Sequence, residues 1–269
     1  MSDTYRCVVT EHAAWHVTGP DRYRVFVLPD GGQWLITISG NKLSSRPLTP
    51  GASQPQLDIF ALRETTASQA PELAQSLAAL GAVARFRTPD LWESIATAII
   101  RQVIRAAHAR RLYRNICEAY GQRVTCPDGS GYALFPAAAT VLNLNDEQFA
   151  SIGMTFKRRP LRAAADAYLQ HGTRWRDLPP SALAGELQQI PRIGPWTAGA
   201  TVADVSNDFA YYPYADLAVR TWARRAAPSC PWPDDEQSFG RLWRSLAGDQ
   251  LAPLTLLTLA WGSQHGDTG

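Results

Sequence analysis

Along the first fifty residues, apolar positions fall at strand spacing. Tyr5–Val9, Tyr23–Leu28 and Gln33–Ser39 are runs rich in β-branched and aromatic residues, and Pro29-Asp30-Gly31-Gly32 supplies a turn between the last two. A further strand is expected over Leu57–Leu62, after a Ser-, Pro- and Gly-rich stretch from Leu43 to Pro55 that reads as a loop. From about Ala70 the period becomes helical. Over Asp90–Val103 the residues Leu91, Trp92, Ile95, Ile99 and Val103 share a face, with Thr88-Pro89 as a plausible start. Helical patterns then cover Ala106–Tyr120, Lys157–Gln170, Ser181–Gln189, Pro195–Val205, Asp216–Ala226, Asp234–Ala247 and Pro253–Trp261. The expectation is an α+β protein, with a small antiparallel β domain over residues 1–83 and an all-α body over 84–269.

Composition narrows the class. The chain has 269 residues, 45% of them hydrophobic, enough for a substantial core. It has neither a signal-like N-terminus nor an apolar run of about 18 residues, so a cytoplasmic protein without membrane contact is expected. Cys7, Cys117, Cys126 and Cys230 are too scattered for a zinc ribbon or an iron–sulfur ligand set and too few for a secreted disulfide scaffold. The five histidines lack the His-x-Glu and paired-cysteine pattern of a zinc deaminase. The net charge of +2 is unevenly spread: residues 84–225 carry 18 basic and 12 acidic side chains, while both flanks are negative. A local positive excess suits a polyanion, and equally a solvated Arg-rich face.

The most informative stretch is Leu187-Gln-Gln-Ile-Pro-Arg-Ile-Gly-Pro-Trp-Thr-Ala198. One helix ends near Gln189, a tight turn runs through Pro191–Gly194, and a second helix starts at Pro195, a residue suited to a first helical position. Such a hairpin aims the free N–H groups and positive dipole end of the second helix outward as a phosphate cradle that reads no sequence. An ordinary helix–turn–helix corner would have similar residues. Some twenty residues later Asp216 stands where a loop enters a helix, a position equally suited to a helix cap or to a site carboxylate.

Taken together, these motifs resemble the helix-hairpin-helix DNA glycosylases, and among them the 3-methyladenine DNA glycosylase II branch. Ile190–Gly194 and Asp216–Val219 match the family's hairpin and catalytic-aspartate segments in order and spacing. Trp92–Gln102 looks like the family helix that ends beside the DNA-wedging residue, which puts Val103 in the wedge position. Gly153–Arg162, with Lys157, Arg158, Arg159 and Arg162, is similar to the family's glycine-plus-basic segment. The resemblance covers roughly residues 84–265, and its β-plus-helical layout is that of the 3-methyladenine II and 8-oxoguanine branches. It implies a monomer that extrudes a damaged base from double-stranded DNA and hydrolyses its N-glycosidic bond with the help of Asp216. It implies a base pocket drawn from Trp196, Tyr211, Tyr212, Tyr214 and Trp261, and DNA contacts by Gln102, Val103, Arg192, Ile193, Gly194, Trp196 and Thr197. No cofactor is required, although the family often holds a structural Na or K ion on hairpin carbonyls, here Gln188, Ile190 and Ile193.

Trp196 stands where strand-cleaving relatives carry a lysine, and a Schiff base needs a primary amine. With only Lys42 and Lys157 in the chain, neither in that place, base excision without lyase activity is expected. Tryptophan there matches the alkylpurine branch, where an electron-rich wall suits cationic bases. Two departures stand out. Arg192 replaces the first hairpin glycine, and Ala200 stands where the alkylpurine branch tends to have a second aromatic. The iron–sulfur cysteines of the endonuclease III branch are absent after Trp261. The competing readings are a noncatalytic DNA-binding module and a bifunctional glycosylase/lyase for oxidised purines.

Overall fold

A computed structural model describes residues 2–63, 69–126 and 129–266. The strands β1 (Ser2–Thr4), β2 (Cys7–Val8), β3 (His16–Thr18), β4 (Asp21–Val27), β5 (Gln33–Ser39), β6 (Lys42–Pro47) and β7 (Leu57–Phe60) come first. After the helix α1 (Pro71–Ala78) comes β8 (Val83–Phe86), and a late hairpin, β9 (Arg123–Thr125) and β10 (Gly131–Ala133), completes the β structure. An antiparallel sheet in the order β1-β6-β5-β4-β3 and a three-stranded sheet β2-β8-β7 form the N-terminal part. The β2–β8 pair is parallel.

Alternation builds the larger sheet. Trp34, Ile36 and Ile38 of β5 point into a core with Trp15, Phe26, Leu28, Leu43 and Phe86. Val25 and Leu35 point to the other face and are covered by Val124 and Cys126 beside the β9–β10 hairpin. The turn between β4 and β5 closes with the Gly31 N–H donating to the Leu28 carbonyl (2.9 Å), and Gly31 supplies the required positive φ of 80°. The expected loop from Leu43 to Pro55 is a strand over its first part. β6 pairs with β5 from Ser39↔Lys42 to Trp34↔Pro47. Its Ser- and Pro-bearing composition reads as a loop, but the ladder and the burial of Leu43 outweigh propensity. Pro47 sits at the end of the strand, where the missing N–H is least costly.

The helical part contains α2 (Leu91–Arg101), α3 (Ala106–Tyr120), α4 (Ala138–Asn143), α5 (Asp146–Ser151), α6 (Arg158–Arg176), α7 (Pro180–Leu187), α8 (Pro195–Ser206), α9 (Leu217–Ala226), α10 (Glu236–Ala247) and α11 (Leu251–His265). Asp90 caps α2, accepting the Trp92 N–H at 2.9 Å. The helix is buried on nearly every side and packs against α3, α6 and α8. One apolar core contains Ile95, Ile99, Ile116, Phe149, Leu161 and Leu187; a second contains Leu73, Leu77, Val219, Phe239, Trp243 and Leu254. The helix α8 lies between them, sending Ala198 and Val202 into the first and Ala200 and Ala203 into the second. Its Thr197–Asp204 segment is therefore wholly buried, while Gly194 and Pro195 at its N-terminal end are exposed.

A boundary at 83/84 falls inside β8, where the two parts are joined by charge. Arg85, 4% exposed, donates to Asp204 Oδ1 (2.5 Å) and to Asn207 at the end of α8. Asn207, in the left-handed conformation that ends α8, donates to Asp58 Oδ2 (2.7 Å) and to the Arg85 carbonyl (3.0 Å). Arg87 adds a two-bond fork to Asp58. No helix among the described residues is long and apolar enough to cross a membrane.

Candidate nucleic-acid interface and active site

The hairpin forms where the sequence puts it. Leu187 and Ile190 are buried and anchor the end of α7, while Pro191, Arg192, Gly194 and Pro195 are exposed. Arg192 adopts φ of 70°, a conformation that glycine takes readily, so the side chain is accommodated at a cost in backbone strain. Gly194 is the N-cap of α8 and no side chain caps the first turn. The positive end of the helix is thus left open to an anion. Ile193 and Thr197 have buried side chains, so any contact they make outward runs through the main chain.

A second element is locked to this turn. The Gln102 amide donates to the Arg192 carbonyl (3.2 Å) and to Thr197 Oγ1 (2.7 Å), tying the end of α2 to the hairpin. The Lys157 ammonium donates to the carbonyls of Ile99 (3.0 Å) and Gln102 (2.7 Å), closing the C-terminal turn of α2. Its partial burial lowers its pKa. Between these two clamps Val103 is pushed out, 102% exposed and at φ of 58°. A β-branched residue held in the left-handed region persists only where the surroundings over-determine it. Phe156, next to Lys157, is 94% exposed, and Leu217, next to Asp216, is also exposed. The sequence reading passed over both; for Phe156 the available signal was a large apolar residue between polar neighbours, Thr155 and Lys157, in a short link.

Asp216 occupies the N-cap position of α9 by backbone geometry, yet its side chain makes no capping bond. Its N–H donates to the Pro213 carbonyl (2.8 Å), and its carboxylate accepts a long hydrogen bond from the Tyr212 hydroxyl, 3.4 Å to Oδ2. The carboxylate is partly exposed and not consumed by the helix. Tyr212 is buried and stacked on Phe209 (5.6 Å between centroids). Burial, only partly opposed by Arg101, pushes its phenol up, so it remains a donor.

Facing this aspartate is a cation the sequence reading missed. Arg101, the last residue of α2, holds its guanidinium carbon 5.7 Å from the centre of the Trp196 ring. Burial pulls the group down, but Tyr212, Asp204, Glu11 and Asp216 outweigh it and hold the pKa above its ordinary value. Glu11, from the loop after β2, therefore joins Asp216 around this charge. Trp196, Tyr214 and Trp261 border the second apolar core, whereas Tyr211 borders the first. Tyr211 and Tyr214 line an open depression of about 470 Å³ with Pro195, Tyr212 and Arg244. Trp261 stacks on His265 at 4.2 Å. Trp196 and Tyr212 are thus the expected aromatics tied to the Arg101 and Asp216 charges.

Among the described residues no group of three or more His, Cys, Asp or Glu could hold a metal ion. Of the carbonyls expected to hold a monovalent ion, that of Ile190 already accepts the Ile193 N–H (3.0 Å). A second lone pair remains on that oxygen, so the turn is compatible with such an ion.

No protein-family model and no curated protein matches the chain. Solved structures do. The 8-oxoguanine glycosylase/lyase of Clostridium acetobutylicum, in complex with DNA containing cytosine opposite 8-oxoguanine, aligns with a TM-score of 0.72 over 96% of this chain and 90% of that one, at 15% identity. The 3-methyladenine DNA glycosylase of Archaeoglobus fulgidus gives 0.69 over 99% of each chain at 16% identity. The 3-methyladenine DNA glycosylase of Schizosaccharomyces pombe, in complex with abasic DNA, gives 0.53 over 68% of this chain and 85% of that one, at 17% identity. The chain therefore has the same α+β fold as these DNA glycosylases.

Proposed function

We propose that this protein is a monofunctional DNA glycosylase acting in base excision repair, with damaged double-stranded DNA as its substrate. The observation that carries the reading is Asp216: a carboxylate at a helix start that caps nothing. Its charge acts on the same Arg101 guanidinium that lies over Trp196, in the first turn of a helix that no side chain caps. The hairpin would hold a backbone phosphate, with a Na or K ion on the carbonyls of Gln188, Ile190 and Ile193 as a structural option. Val103, strained and fully exposed, is suited to enter the stack in place of the extruded nucleotide.

Breaking the N-glycosidic bond leaves positive charge on the deoxyribose, and a fixed carboxylate stabilises that state more than the ground state. Water supplies its hydroxyl to C1′, its proton goes to the departing base or to Asp216, and an abasic site remains. Lyase chemistry would need an amine near the sugar. The Lys157 ammonium is engaged with two carbonyls and Lys42 lies in β6, so neither supports that reading. Trp196 favours a damaged purine, with alkylated purines as the class the resemblance points to.

The test is strand breakage revealed by alkali after incubation with lesion-bearing duplexes. Asp216→Asn should lower release by about 10²–10³-fold, as removal of an electrostatic stabiliser does, while retaining affinity for an abasic duplex. Undiminished release would end the enzymatic reading in favour of a noncatalytic binder. A borohydride-trapped adduct would move the protein to the lyase class.

A further inference from the structure

Building on the glycosylase reading, we propose that the open depression beside the hairpin is a second nucleobase site, which takes an unpaired base next to the lesion on the same strand and stacks it on Tyr214.

The lining places the depression on the path of that strand. Pro195, the first residue of α8, forms one side, and the loop from Ala210 to Ala215, which leads into Asp216, forms the next. Residues of α10, among them Glu236, Gln237 and Arg244, close it. Tyr212 lines it and donates to Asp216 Oδ2 (3.4 Å). A strand held at the hairpin and presented to Asp216 therefore passes its rim. Neither Trp196 nor Arg101 is among its lining residues, so it is separate from the surface where those two meet.

The loop is a fixed platform with unspent polar groups. A Cβ at Gly199 of α8 would lie 2.2 Å from the Tyr211 carbonyl oxygen, and one at Gly240 of α10 would lie 3.5 Å from both Tyr214 Cε2 and Ala215 Cβ. Both helices thus press against it. Arg244 holds its guanidinium carbon 5.9 Å from the centre of the Tyr214 ring. The side chains of Tyr211, Tyr214, Gln237 and Arg244 make no hydrogen bond or ion pair with any described residue.

This lining fits a base better than a phosphate. The Arg244 charge is offset by Glu236, which leaves no net charge to hold a polyanion. Tyrosine faces beside a guanidinium, a carboxylate and an amide match a heterocycle with a π face and an edge of donors and acceptors. The volume of about 470 Å³ is in the range of sites for small ligands. Stacking one base on an aromatic side chain strengthens binding by roughly 5- to 150-fold, whereas drawing a paired base out of the duplex weakens it by a factor on the same order. A paired neighbour therefore stays in the helix, and a neighbour already unpaired enters the site.

The experiment measures affinity for duplexes with an abasic site whose neighbouring nucleotide on the same strand faces a one-nucleotide gap in the other. That nucleotide carries adenine in one set and is an abasic spacer in the other, so the gap and the bending it allows are common to both. Neighbours on the 5′ and 3′ sides form separate series. The wild type should bind the adenine duplex about tenfold more tightly than the spacer duplex in one series. Tyr214→Ala should bring that ratio to about one. Tyr214→Phe, which keeps the ring, should retain it and guards against a folding defect in the alanine variant. A wild-type ratio near one in both series, or a ratio that Tyr214→Ala leaves intact, overturns the second site while base release, and with it the glycosylase reading, stands. A tenfold ratio in a protein that releases no base keeps the site and removes the enzyme. No binding to any of these duplexes overturns both.

Discussion

Arg192 holds φ of 70° at the tip of the hairpin, with an exposed side chain that makes no hydrogen bond or ion pair with described residues. Its carbonyl, by contrast, is held by Gln102, a backbone contact that any residue keeps. An L-residue in this region costs about 1–2 kcal/mol relative to glycine, while glycine adds about 0.5–1 kcal/mol of unfolded-chain freedom. Arg192→Gly should therefore stabilise the fold by about 0.5–1 kcal/mol. At roughly 2–4 °C per kcal/mol for a chain of this size, the melting midpoint should rise by about 1–4 °C. The same change removes a cation from beside the open end of α8. If the guanidinium meets one phosphate, the slope of log affinity against log salt should fall by about 0.9. Arg192→Ala separates the two effects, because alanine keeps the strained backbone and loses the charge. The assays are thermal melting and fluorescence anisotropy on an abasic duplex across a salt series. A glycine variant no more stable than the alanine variant would refute the strain argument. An unchanged salt slope in both would remove Arg192 from the DNA surface.

Two other expectations follow from buried contacts. Burial, reinforced by Arg24, Arg85 and Arg101, holds the His12 pKa well below 6.5. As pH falls below 6.5 the unfolded chain takes up a proton that the folded chain refuses, so this group's contribution to stability is full above 6.5 and declines below it. His12→Asn, whose Oδ1 can replace Nδ1 as acceptor of the Ala14 N–H, should flatten that decline. Urea midpoints at pH 7.5 and 5.0 measure it, and the wild-type minus variant difference isolates His12 from Glu93 and Asp90, whose burial-raised pKa values give the opposite slope. Identical pH dependence in both proteins would mean that His12 titrates normally. At Gly199 a Cβ would lie 2.2 Å from the Tyr211 carbonyl oxygen. Gly199→Ala, which stabilises an ordinary helix, should here cost about 1–3 kcal/mol and reduce base release by shifting the loop that carries Asp216; a parental urea midpoint and rate would show that loop to have slack.

Much of the scaffold was legible because its signals are local. Gln33–Ser39 and Ala106–Tyr120 begin and end where alternation and helical period place them. The hairpin was visible because Pro and Gly restrict the backbone wherever they occur. The strand β6 and the β9–β10 hairpin were not, because their stability comes from pairing with and covering β5 and β4 rather than from their own residues. Among candidate site residues Asp216, Trp196 and Gln102 were marked by the family resemblance of their motifs, whereas Phe156 belongs to a short link with no period.

The sequence by itself determined the order of elements, the hairpin, and a carboxylate about twenty residues after it, since each depends on residues near one another in the chain. Tertiary structure alone decided what surrounds that carboxylate. Glu11 comes from the N-terminal loop, Arg101 from the end of α2 and Trp196 from α8. Arg101 sits at the end of a mostly apolar helix and reads there as a solvated terminal cation. It comes to lie over Trp196 and within the field of Asp216 only because α2 packs against α8. Electrostatic fields act through space, so which charges meet is fixed by packing and not by position along the chain.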